Sequence, residues 1–142
     1  MKTVIAAALI ASAGTALAQA TPVGLWRTID DDTKQEKSLV RVTEQGGVIS
    51  GKVEKLSDPS KAGALCDKCE GARKDKPIVG MTIIEGVSKN AGEPYWDGGT
   101  ILDPNNGKTY KLRLTPKDGG KTLEVRGFIG FLYRNQTWSR VE

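Results

Sequence analysis

The chain has 142 residues, two cysteines, no histidine and a formal net charge of +4, from 21 lysines and arginines against 17 aspartates and glutamates. Without histidine it cannot carry a Ser-His-Asp triad, a Cys-His pair or a histidine-containing zinc site, and two cysteines cannot close a four-cysteine site. The charge is mild and evenly mixed, which argues against a nucleic-acid partner, and the length suits one domain.

The N-terminus reads as an export signal. Met1-Lys2 is a short basic start, the apolar run from Val4 to Ile10 continues through small residues to Leu17, and Ala16-Leu17-Ala18 offers small residues at the positions a signal peptidase reads. The expectation is a signal peptide over residues 1–18, cleaved before Gln19, and a periplasmic or secreted protein. Ser12, Gly14 and Thr15 dilute the run, which falls short of the roughly 20 apolar residues of a span. The chain is therefore not expected to span a membrane once cleaved.

Residues 19–142 show no convincing helical period. Short β-rich runs recur instead: Val23–Ile29, Lys37–Thr43, Val48–Leu56, Ile78–Val87, Tyr95–Leu102, Thr109–Thr115, Thr122–Gly127 and Thr137–Val141. Tyr110, Leu112 and Leu114 alternate with Lys111, Arg113 and Thr115, the period of a strand wetted on one side. Gln45-Gly46-Gly47, Asp103-Pro104-Asn105-Asn106-Gly107 and Asp118-Gly119-Gly120 supply hairpin turns. Consecutive antiparallel strands joined this way predict an all-β fold, a single up-and-down barrel of about eight strands, because closure removes exposed edges.

Ser57 to Pro77 breaks the rhythm and holds both cysteines. In an oxidising compartment Cys66-Asp67-Lys68-Cys69 reads first as a structural disulfide. A thiol-disulfide redox site would want a βαβ context that is absent, and a metal shared with another chain is the third reading. No catalytic residue, metal ligand or cofactor is assigned. Trp96 and Tyr110 offer the flat faces of a ligand rim, while Asp97 and Asp103 fit either an acid–base pair or turn chemistry. Arg126 to Tyr133, with Phe128 and Phe131, fits either the mouth of a barrel or a buried strand ending in a bulge.

Gly24-Leu25-Trp26 near the start and Trp138-Ser139-Arg140 near the end resemble the lipocalin-like (calycin) barrels. The resemblance implies that Arg140, or alternatively Arg134, packs across Trp26, with Gly24 and Trp138 also structural. A closer likeness is to a family of small secreted bacterial proteins that carries only a domain-of-unknown-function label. It rests on Gly24-x-Trp26, Cys66-x-x-Cys69, the run from Trp96 through Gly98-Gly99 and Asp103-Pro104 to Tyr110, Leu123-x-Val125-Arg126-Gly127-Phe128, and Thr137-Trp138-x-Arg140. It implies a lipocalin-like barrel over residues 19–142 and no particular activity.

The leading functional expectation is a barrel that binds a small amphiphilic or lipid-like molecule, with Trp96, Tyr110, Arg126, Phe128 and Phe131 as candidate contacts. Arg41, Arg113 and Arg126 would meet an anionic headgroup if they faced inward. The alternatives are a protein-interaction module, such as an inhibitor of a secreted protease, and a redox protein acting through Cys66 and Cys69.

Overall fold

In a computed structural model, which describes residues 20–142, the chain forms one closed antiparallel barrel. The strands are β1 (Gly24–Ile29), β2 (Glu36–Gln45), β3 (Val48–Leu56), β4 (Thr82–Lys89), β5 (Trp96–Asp103), β6 (Lys108–Lys117), β7 (Thr122–Ile129) and β8 (Leu132–Arg140). Each pairs with its sequence neighbour, and β1 pairs with β8 through Trp26–Arg140 and Arg27–Ser139, so no strand keeps a free edge. The expected signal peptide lies outside the described residues.

Val48–Leu56 has the expected limits, five of the expected strands differ by one or two residues at an end, and two begin four or five residues away from the expected start. Ile78–Met81 does not open β4, because Gly80 has φ +89° and Met81 N–H donates back to the Ile78 carbonyl, which makes a turn. β8 begins at Leu132 rather than Thr137, because the apolar stretch from Arg126 to Tyr133 is two strands and not one. Gly130, at φ +58°, reverses the chain between them.

Alternation then decides the packing. On β2, Ser38, Val40 and Val42 are buried while Arg41 and Thr43 between and beyond them face solvent. On β6, Leu112 and Leu114 point in and Lys111 and Arg113 out. Trp26, Val42, Ile49, Val87, Leu114 and Leu123 fill one half of the barrel, each fully buried, and each such side chain contributes about 1.5–3 kcal/mol. Charged outer positions such as Arg41, Lys52, Glu54, Lys111 and Arg126 are the reverse of a bilayer-spanning barrel, which turns an apolar band outward. Among the described residues no helix is long and apolar enough to cross a membrane.

The filled half is sealed by Arg140. Its guanidinium lies 4.3 Å from the Trp26 ring centroid and donates to the carbonyls of Thr21 (2.7 Å), Val23 (2.7 Å) and Gly120 (2.5 Å). The Trp26 indole N–H donates to the Pro22 carbonyl at 2.8 Å. Gly24 lets the chain pass beneath this cluster, since a Cβ there would stand 2.3 Å from Arg140 Nη1.

Candidate functional site

The other half of the barrel is hollow. Many of its inward positions are small: Thr28 on β1, Ser38 and Val40 on β2, Val53 on β3, Val125 and Gly127 on β7. The inward positions of the sealed half carry Trp26, Ile49, Leu114 and Leu123. This gradient of side-chain size leaves an open-mouthed cavity of about 680 Å³, within the roughly 300–1,000 Å³ range of small-molecule sites.

The wall is largely apolar, and its few polar groups are mutually satisfied. The Thr28 and Ser38 hydroxyls, both buried, hydrogen-bond to each other at 2.6 Å. From the mouth inward, Asp31 accepts from Arg134 Nε at 3.0 Å and from Gln136 Nε2 at 2.9 Å, and the Gln136 carbonyl accepts from the Trp138 indole N–H at 3.0 Å. Burial pushes the Asp31 carboxyl up, but the hydrogen bonds from Gln136 and Arg134 outweigh it and hold the group below the usual carboxylate range.

The rim carries both signs of charge. Asp30 caps the N–H groups of Asp32 and Thr33, Asp58 caps Ser60, and Asp103 caps Asn105. Glu36 pairs with Arg27. Lys37 and Lys61 also line the rim, and neither makes an ion pair among the described residues.

The segment between β3 and β4 forms part of this wall. Leu65 bridges to Pro77, Cys66 N–H donates to the Lys76 carbonyl and Ile78 N–H to the Ala64 carbonyl, so the segment is a small pinched hairpin. A Cys66–Cys69 disulfide staples it, and both cysteines are buried. Ala64 and Ile78 reach the cavity. Gly107 seats the segment against the β5–β6 turn, where a Cβ would fall 1.8 Å from the Lys68 carbonyl oxygen. Burial keeps the sulfurs from an incoming thiolate, as suits a staple.

Of the five candidate contacts, Tyr110 lines the cavity; its hydroxyl accepts from Asn106 Nδ2 at 2.8 Å. Trp96 starts β5 at the sealed end, with Lys89 Nζ 5.3 Å from its ring centroid. Arg126 and Phe128 alternate with inward Val125 and Gly127, and so point outward. Phe131 stands at the tip of the β7–β8 turn, in water. Arg41, Arg113 and Arg126 all lie on the outer wall: Arg41 pairs with Glu54 and Glu142, and Arg113 stacks 4.1 Å from the Tyr95 ring centroid. Of these cationic candidates none enters the cavity, and Arg134, Lys37 and Lys61 take the rim instead.

Asp97 and Asp103 are not a pair. They sit at opposite ends of β5, about 20 Å apart at strand rise, and each is held locally, Asp97 by Asn90 and Asp103 by its own turn. Among the described residues no three histidine, cysteine, aspartate or glutamate side chains converge to hold a metal ion.

The family model described as "Uncharacterized protein conserved in bacteria (DUF2147)" matches residues 24–140. Among solved structures, protein HP1028 from the human pathogen Helicobacter pylori, described as belonging to the lipocalin family, aligns with a TM-score of 0.75. Its sequence identity is 21%, and the alignment covers 87% of this chain and 84% of that one. At that identity the likeness concerns the fold: this chain is a lipocalin-like barrel. No curated protein matches the chain.

Proposed function

We propose that this chain, which belongs to the bacterial family DUF2147, binds a small amphiphile in its barrel. The observation that carries this reading is the coincidence of an apolar, open-mouthed cavity with a rim of both charge signs. An apolar body would displace water from the wall formed by Val40, Val53, Ile101 and Val125. The polar head would stay at the mouth beside Lys37, Lys61 and the Asp31–Arg134 pair. A protein-interaction module needs no such cavity, and the buried disulfide suits a staple better than a redox centre.

We also propose export to the periplasm or beyond. The pattern of residues 1–18 supports it, and so does a disulfide, which persists in oxidising compartments. Intact mass of the protein from a periplasmic extract tests this: cleavage before Gln19 is expected, and an unprocessed cytoplasmic chain would refute it.

Binding is tested by titrating the protein with a fluorescent straight-chain amphiphile. Ile101→Trp, which fills the cavity from β5, is expected to weaken a saturable one-to-one signal by at least about tenfold, the effect of a lost apolar contact near 1.4 kcal/mol. A signal that never saturates, or that Ile101→Trp leaves intact, would place the probe elsewhere.

A further inference from the structure

The turn between β7 and β8 is the most exposed apolar feature of the described molecule, and it stands at the cavity mouth. Phe131 is 93% exposed, Leu132 64%, Tyr133 60% and Ile129 54%. Ile129, Leu132 and Tyr133 also border the cavity. The register opposes Ile129 to Leu132 and Phe128 to Tyr133, so Gly130 and Phe131 form a two-residue apex that projects beyond the barrel and cannot fold back onto its core. Single exposed apolar residues are ordinary, whereas a contiguous group at a functional mouth marks a contact surface.

The wall behind the apex is basic and aromatic. Lys111 lies opposite Phe128, and Arg113 lies opposite Arg126. Arg126 stacks 4.3 Å from the Tyr133 ring centroid, and Arg113 lies 5.5 Å from that of Phe128. Like charges directly opposed across two strands repel, and the nearby carboxylate is Glu124, 3.4 Å from Arg126. Arg113 Nε is buried with no hydrogen-bond partner among the described residues. Neither Lys111 nor Arg113 makes an ion pair among the described residues, so the patch offers positive charge to an anionic partner.

Depth decides which kind. Phe131 lies two residues past Tyr133, which Phe128 opposes, so it stands about 7 Å beyond Phe128 and Lys111 at strand rise. Interfacial apolar groups enter a bilayer by about 5–10 Å, which puts Lys111 and Tyr133 at headgroup level, where lysines and tyrosines settle. Arg113 and Arg126 stand about 7 Å further back, within one Debye length of an anionic surface. A protein partner would need on the order of 800 Å² of complementary surface per side, and a narrow convex apex offers little. A bilayer accepts such a tip without shape matching.

We propose that the β7–β8 tip is a docking site for an anionic lipid bilayer, with Phe131 and Leu132 entering the apolar layer, Lys111 meeting the headgroup phosphates, and Arg113 and Arg126 adding longer-range attraction from behind. Docked in this way, the cavity mouth faces the membrane surface. The site depends on the tip and not on the cavity, so it stands or falls apart from amphiphile binding in the barrel.

Co-sedimentation with vesicles tests it, using the chain as isolated from cells so that its N-terminus is the same in every variant. The protein is expected to bind vesicles of phosphatidylcholine mixed with phosphatidylglycerol, and to bind phosphatidylcholine alone far more weakly. The double variant Phe131→Ser/Leu132→Ser, checked for an unchanged circular dichroism spectrum, should lose at least about tenfold in partitioning. Lys111→Glu should lose about fivefold or more, an effect that vanishes in high salt. Ile101→Trp should bind vesicles as the parent does. The proposal is overturned if the parent ignores mixed vesicles or if the double variant binds them equally well. It is also overturned if the parent is a dimer that the double variant dissociates, which would give the tip to a second copy.

Discussion

Arg140 shows how much one side chain can hold. It joins three backbone carbonyls and an indole face, tying the segment before β1 and the turn before β7 to the last strand. Arg140→Ala leaves those carbonyls unpaired in a sealed end and should cost about 2–4 kcal/mol in urea unfolding. Arg140→Lys should recover less than half, because an ammonium cannot fork among three acceptors and stack at once. A loss below about 0.5 kcal/mol would show that the end is held by something else. Asp31 makes a pH prediction. Its folded carboxyl titrates below the unfolded value of about 3.9, so the pair with Arg134 stabilises the fold above that pH and is lost as pH falls through the folded value. Arg134 is largely exposed, so the effect should stay under about 1 kcal/mol. Urea midpoints of the parent and Asp31→Asn should differ at neutral pH, and the gap should shrink as pH falls below the unfolded value; a constant gap would contradict the assignment.

At the level of elements, the disulfide hairpin between β3 and β4 is an insert whose pinch lies outside the barrel ladder. Cys66→Ser/Cys69→Ser should therefore cost about 2 kcal/mol, the loop-closure entropy of so short a ring, while the strand signature in circular dichroism persists. Loss of that signature would mean the staple supports the barrel itself. Strand existence was legible along the chain because residues such as Leu112 and Leu114 alternate with Lys111 and Arg113, and Val48–Leu56 was readable to its ends. The β7–β8 hairpin was not, because Phe128 to Tyr133 is apolar on both sides of its turn and Gly130 looks like any other glycine. The cavity residues were the least readable part. Choosing Tyr110 required only its alternation with Lys111, but Arg113, Arg126 and Phe128 needed the register, and a shift of one residue exchanges the two faces. Asp31, Gln136 and Trp138 meet only because β1 and β8 close the barrel, a contact across more than a hundred residues.

The whole molecule is a barrel graded along its axis, with large side chains and Arg140 at one end and small side chains and a rim of mixed charge at the other. Closure explains how so modest an apolar supply can both hold the fold together and spare a cavity: one half is packed and the other left open. The main cluster of exposed apolar side chains stands at one tip beside the mouth, so the openings to water and to a membrane would lie on the same side. The most direct test of an amphiphile-binding barrel is intact mass under native and denaturing conditions, for the parent and for Ile101→Trp, both isolated gently from cells. The account predicts extra mass on the native parent that is released on denaturation and absent from Ile101→Trp. A native parent at its bare mass, or an adduct that Ile101→Trp retains, would contradict it.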